Sequence, residues 1–154
     1  MEAIEITPAD TEAADAIVDM WVNLATGQRE FGSHVPGDPN RNHIRESIFR
    51  HIASDRLLVA RRDELCGFVM FAVEHGEFEQ DVDRGIVENL YVDPTHRNEE
   101  IGTSLLEAAE TALERKGVDA ITLSVMAGNA DARRLYRRHG YEPHRVEMEK
   151  DLGV

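Results

Sequence analysis

Along this chain, apolar residues spaced by three and four alternate with runs spaced by two, and the changes of period outline the elements. From Glu12 to about Ala25 the residues Ala13, Ala16, Ile17, Met20, Trp21 and Leu24 share one helical face, after a start at Pro8 with Asp10 or Thr11. From His43 to Ala53 the residues Ile44, Ile48, Phe49 and Ile52 form a second such face. Residues 32–41, GSHVPGDPNR, have the composition of a loop. Residues 2–7 (EAIEIT), 56–62 (RLLVARR), 65–75 (LCGFVMFAVEH) and 86–92 (IVENLYV) read as strands. An Asp-Glu turn joins the middle pair, and an acidic turn, 77–85, precedes the last. The clearest helix runs from Ile101 to Lys116, with Ile101, Leu105, Ala108, Ala109, Ala112 and Leu113 in one stripe and Gly117 as its C-cap. DAITLSVM (119–126) is a strand, and 129–140 is a helix capped by Asn129 and stopped by Gly140. Finally, Val146, Met148 and Lys150 alternate with Arg145, Glu147 and Glu149, which predicts a closing strand over 144–152. The order β-α-α-β-β-β-α-β-α-β defines an α/β chain, a mixed sheet with about four helices. With no repeat, low-complexity tract or linker, residues 1–154 are expected to form one domain.

Charge narrows the function. The net charge is −13, from 30 acids against 17 bases, so a nucleic-acid partner is not expected. An acidic surface can attract cationic substrates. Yet the only lysines are Lys116 and Lys150, and such an acid-rich, lysine-poor surface also suits a protein from a halophilic, salty cytoplasm. No apolar run approaches the roughly 20 residues that span a bilayer. The N-terminus is acidic and lacks the basic region of a signal peptide. No membrane partner and a cytoplasmic location are therefore expected. Cys66, the single cysteine, excludes an internal disulfide or a Cys-based zinc site and reads as a buried thiol. The seven histidines show no zinc spacing, so no metal is expected.

Two stretches carry candidate chemistry. In 86-IVENLYVDPTHRNEEIGTSLL-106 a strand runs through a polar turn into a helix N-terminus. Free N–H groups at such an end bind anions. Arg97 and Gly102, spaced R-x-x-x-x-G, set a cation at one edge and a glycine at the helix start. No Gly-Lys-Ser/Thr follows, so this is not a P-loop. The second stretch, 129-NADARRLYRRHGY-141, has the pattern N-x-x-A-x-x-L-Y-x-x-x-G-Y. Capping and packing account for Asn129, Ala132, Leu135 and Gly140. They do not require a tyrosine at 136, whose hydroxyl can donate a proton.

With both motifs in this order, the chain from about Cys66 to Tyr141 resembles the GNAT superfamily of acetyl-CoA-dependent N-acetyltransferases. The resemblance implies a twisted, mainly antiparallel sheet in which two neighbouring parallel strands splay apart to receive acetyl-CoA. It implies that the backbone of Leu90, Tyr91 and Val92 holds the thioester and pantetheine. The loop Arg97, Asn98, Glu99, Glu100, Ile101, Gly102 and Thr103 would cradle the pyrophosphate, and Asn129 would meet the pantetheine arm or fix its helix. Tyr136 matches the tyrosine that protonates the departing thiolate. Glu88 matches a carboxylate thought to take the amine proton through water. The function implied is acetyl transfer to a primary amine of a small molecule or peptide, by direct attack in a ternary complex. The alternative is a non-catalytic acyl-CoA-binding or sensing module. Dimers are common in the family, so a homodimer is compatible with the resemblance. The loop departs from the family pattern at Glu100, which replaces a glycine, and at Asn98, where another glycine is frequent. A positive φ at Glu100 would cost about 1 kcal/mol, and its charge would oppose a phosphate.

Overall fold

The computed structural model describes residues 3–97 and 100–153. Strand β1 (Glu5–Pro8) is followed by helices α1 (Ala14–Gln28) and α2 (Arg41–Ala53). Strands β2 (Leu57–Arg62), β3 (Glu64–Val73) and β4 (Arg84–Val92) come next. Helix α3 (Ile101–Arg115), strand β5 (Ala120–Leu123) and helix α4 (Ala130–Arg138) follow, and short 3-10 turns lie at 11–13, 29–31, 38–40 and 94–96. The sheet order is β1-β2-β3-β4-β5, antiparallel throughout except for the parallel pair β4 and β5.

Each face of the sheet carries a core. On one, Ile17 and Val18 of α1 and Ile44 and Ile48 of α2 pack on Leu57, Val59, Phe68, Met70 and Tyr91. On the other, Ile101, Leu105, Leu106, Ala109 and Leu113 of α3 pack on Ala60, Cys66, Val69, Phe71 and Val87. Most residues of the helix stripes read from the sequence meet the sheet, but Ala16 is exposed, and the core also takes Ala14 and Val18 of α1 and Leu106 of α3. Cys66 is fully buried and its thiol donates to the Ala60 carbonyl at 3.3 Å, as an inert core group would.

Strand β4 is irregular near its middle. Met70 pairs with Asn89 and Phe71 with Val87, so Glu88 is an extra, bulged residue. A bulge shifts the side-chain alternation by one. Val87, Leu90 and Val92 accordingly belong to the α3 face, while Tyr91 belongs to the α1–α2 face.

The predicted closing strand does not form. Residues 142–153 have no regular structure, and Val146 and Met148 are 75% and 89% exposed. Alternation alone does not make a strand: it needs a hydrogen-bonding neighbour and an apolar surface for one face. Here β5 pairs only over four residues, and neither is supplied. β5 is also shorter than the predicted 119–126, because the chain beyond Leu123 leaves the β4 ladder.

Candidate functional site

The parting of β4 and β5 creates the site. Their last pair is Val87 with Leu123, and β4 continues for five residues, 88–92, without a β5 partner. On its other side this half of β4 stays paired to β3. Asp93 donates to the Cys66 carbonyl at 2.8 Å. Antiparallel backbone groups alternate sides, so Tyr91 also turns its N–H and C=O to β3. Leu90 and Val92 turn theirs to the open side. Of the three strand residues named from the sequence, two thus present peptide groups to the gap, and Tyr91 supplies structure. The Val92 carbonyl accepts from Arg97 Nε at 3.0 Å, and the guanidinium lies 5.8 Å from the Tyr91 ring centroid. This ties Arg97 back to the strand at the loop edge.

Below the gap lies the N-terminus of α3. Helix starts leave their first N–H groups without helical partners. These include Ile101, Gly102 and Thr103; the Ser104 N–H already donates to the Glu100 carbonyl at 3.1 Å. Ile101 contributes only backbone, since its side chain is buried in the core. A Cβ built on Gly102 would stand 3.7 Å from Val92 Cγ2 and 3.8 Å from Leu135 Cδ2. Gly102 thus sits where side chains of β4 and α4 meet the start of α3, and a Cβ there would make only ordinary contacts. Asn98 and Glu99 lie outside the described residues.

Glu100 caps α3 with φ 62° and ψ 19°, in the left-handed region, and is exposed. It is the strained position anticipated from the sequence. Glu100→Gly is expected to raise stability by about 0.5–1 kcal/mol, the left-handed strain less the added chain entropy of glycine. It should also tighten CoA binding severalfold at low salt by removing a carboxylate beside the cradle. That second gain should shrink at molar salt, where the Debye length is about 3 Å. Thermal melting and calorimetry in the two buffers check both effects. No change in either quantity would mean that the loop bears neither strain nor repulsion.

Helix α4 supplies the opposite wall. Asn129 caps it by accepting from the Ala132 N–H at 3.2 Å. Tyr136 packs against the α3 core, its ring 5.9 Å from that of Tyr141 in an edge arrangement. The two phenols differ. Tyr141 donates to Glu110 Oε2 at 2.7 Å. The Tyr136 hydroxyl has no such partner among the described residues, and burial pushes its pKa above the ordinary tyrosine value. It is the phenol left with a proton to give. Of the basic run on α4, Arg134 pairs with Asp131 and Arg133 donates to the Ala127 carbonyl at 2.9 Å. Arg137 and Arg138 are exposed.

Glu88 stands at the bulge, just past the last β4–β5 pair. Its Oε1 lies 2.7 Å from Nε2 of His51, a residue that neither sequence motif contains. The available signal was position: His51 follows Ile44 by seven and Ile48 by three, on the buried stripe of α2. Asn89 lines a neighbouring recess of about 160 Å³ with Trp21, Leu24, Ala25, Gln28 and Val35. Trp21, assigned to the helix core from its spacing, is half-buried and does both jobs. His34, by contrast, is exposed and contacts Glu149 at 2.8 Å. Among the described residues no group of three His, Cys, Asp or Glu side chains is placed to hold a metal, and no helix is long and apolar enough to cross a membrane.

A sheet opened at one parallel pair, with a helix N-terminus beneath and a tyrosine on the facing helix, defines an acyltransferase fold of the GNAT type. Residues 18–141 match the acetyltransferase (GNAT) family, and the chain belongs to it. It is 33% identical over 135 residues to a mycothiol acetyltransferase of Clavibacter michiganensis, covering 85% of this chain and 41% of that protein. This chain thus spans about two fifths of that relative's length. It is 30% identical to an IAA acetyltransferase of Azospirillum brasilense, covering 82% of this chain and 77% of the relative. In fold it is similar to a PaiA N-acetyltransferase of Thermoplasma acidophilum solved with coenzyme A, with a TM-score of 0.76 and 18% identity over 95% of this chain and 94% of the other.

Proposed function

We propose that this chain is an N-acetyltransferase that moves an acetyl group from acetyl-CoA to a primary amine, with both substrates bound together. The observation that carries the reading is the unpaired half of β4, residues 88–92, beside the N-terminus of α3 at Gly102. Leu90 and Val92 peptide groups would pair with an extended amide-bearing arm as a missing strand would. The α3 N–H groups of Ile101, Gly102 and Thr103, with that of Glu100 and with Arg97 at the loop edge, would hold the diphosphate. Bound acetyl-CoA supplies an acetyl thioester with a good leaving group. Glu88 takes a proton from the incoming ammonium, directly or through one water, and so frees its lone pair. Tyr136 gives a proton to the departing sulfur. The side chains need form no covalent bond, consistent with a buried, hydrogen-bonded Cys66.

The recess beside Asn89 supports an acceptor of a stated kind. Its lining is apolar apart from two amides, Gln28 and Asn89, and has no carboxylate among the described residues. This favours an amine with an apolar or aromatic part over a polycation, although the overall charge is −13.

Two measurements test the reading. Calorimetry should detect acetyl-CoA binding at low salt, at molar KCl, or in both. CoA release should then depend on an amine in a panel of phenylethylamine, spermidine, glucosamine and an alanyl dipeptide, with phenylethylamine preferred to spermidine. Binding without amine-dependent release would instead support the acyl-CoA-binding alternative. No binding in either buffer would overturn both.

A further inference from the structure

His51 is the one buried polar side chain among the described core residues, 6% exposed. A polar group buried there needs partners for both ring nitrogens. It has them. Nδ1 lies 2.7 Å from the Ser47 carbonyl oxygen one helical turn earlier, and Nε2 lies 2.7 Å from Glu88 Oε1. The Ser47 hydroxyl stands farther off, 3.4 Å from Nδ1. No other ionisable side chain among the described residues bonds to the ring.

These contacts fix a proton count. A carbonyl oxygen only accepts, so Nδ1 carries a hydrogen. Nε2 and Oε1 at 2.7 Å need a second hydrogen between them, because two lone pairs do not approach so closely. For Glu88 to accept a further proton this hydrogen sits on Nε2, so that the ring donates from both nitrogens and Glu88 is a carboxylate with Oε1 engaged. Glu88 Oε2 is then the oxygen left for an incoming group. The Glu88 side chain is 36% exposed, against 7% for His51. The pair thus has a rigid, dry end on α2 and a wet end at the gap.

We infer that His51 is a positioning residue for acetyl transfer, holding Glu88 by Oε1 so that Oε2 faces the acceptor amine. The inference rests on Glu88 being the proton acceptor. A glutamate at a strand bulge otherwise samples several rotamers, and anchoring it to a packed helix removes that freedom before the substrate arrives. In the step itself an N–H bond of the ammonium breaks and an O–H bond forms at Oε2, or at a water held by it. The nitrogen keeps the electron pair. His51 does not carry the proton onward, since its far nitrogen is already bonded to a buried carbonyl. The proton leaves through Glu88's exposed end to water.

The test compares Glu88→Gln, His51→Ala, His51→Gln and the double variant His51→Ala/Glu88→Gln. Each is assayed with saturating acetyl-CoA and the fastest of the four amines named for the acceptor panel. Glu88→Gln is expected to lower kcat at least tenfold. His51→Ala should lower kcat by a similar factor with little change in KM for acetyl-CoA. His51→Gln, whose amide can still donate to Glu88, should recover most of the loss. The double variant should be no slower than Glu88→Gln. An unaffected Glu88→Gln would overturn the proton-acceptor role, and the positioning role with it. A slow Glu88→Gln beside a normal His51→Ala would overturn the positioning role alone. Losses that multiply in the double variant would also overturn it, since His51 would then act elsewhere. Because a buried alanine can disturb folding, nitrogen NMR of the unaltered protein gives an independent result. It should show His51 Nδ1 protonated; an unprotonated Nδ1 would overturn the inference.

Discussion

Replacing Tyr136 by Phe is expected to lower kcat about a hundredfold, the low end of what a positioned proton donor contributes. The ring stays, so its packing on the α3 core and its edge contact with Tyr141 are kept. Only the hydroxyl goes, and it has no bond within the described protein to lose. The pH profile should separate a catalytic effect from a structural one. Burial raises the Tyr136 pKa, so the phenol keeps its proton past the point, near about 10, where a free tyrosine loses it. The limb that reports this donor should fall above that value in the parent and be absent in Tyr136→Phe. For stability the sign is the same. The folded state holds the proton more tightly, so this contribution is complete below the unfolded value and is lost as pH rises through the folded one. Tyr141→Phe is the control. It removes the bond to Glu110 and should cost about 1 kcal/mol of stability without touching kcat. Equal kcat values for Tyr136→Phe and the parent would remove Tyr136 from the reaction.

The range of each interaction decides how much of the fold and site was legible in the sequence. The turn between β4 and α3, the Asn129 cap and the strain at Glu100 are local. Each depends on residues within a few positions, and each was legible. The stripes of α1, α2 and α3 were legible for the same reason, because helical periodicity reports which face is buried. The β4 bulge was not. Nothing in GIVENLYV marks Glu88 as unpaired; its register against β3 does that. The bulge swings Glu88 toward α2, which brings it to a histidine 37 residues away. A pairing of that separation leaves no trace in periodicity, and His51 was visible only as a polar intruder on an apolar stripe. The closing strand failed in the opposite sense. Its alternation is real, but alternation describes a chain ready to pair and does not supply the partner.

Gly67→Ala should be the most damaging single-atom change to the sheet. Gly67 lies in β3 opposite Val92, beside the open half of β4. A Cβ built there would stand 2.5 Å from the Tyr91 carbonyl oxygen and 3.1 Å from Leu105 Cδ1. Leu105 can yield by a small rotation, although it is fully buried. The carbonyl cannot, because Tyr91 is held in the ladder and Asp93 beyond it donates to Cys66. The strands must separate locally. Overpacking of this kind costs about 1–3 kcal/mol, and a backbone obstacle places this site at the upper end. At roughly 2–4 °C per kcal/mol for a chain of this size, Tm should fall by about 6–12 °C. Moving β4 also displaces the peptide groups of Leu90 and Val92, so the surviving folded protein should bind acetyl-CoA less tightly. Gly27→Ala is the matched control: Gly27 lies on the exposed side of α1, and an added Cβ meets nothing within 4 Å. It should be neutral or gain up to about 1 kcal/mol, as alanine favours helix over glycine. A Gly67→Ala melt within two degrees or so of the parent would mean that β3 and β4 have slack at this point. The open edge of β4 would then not be held rigidly enough to serve as a preformed binding strand.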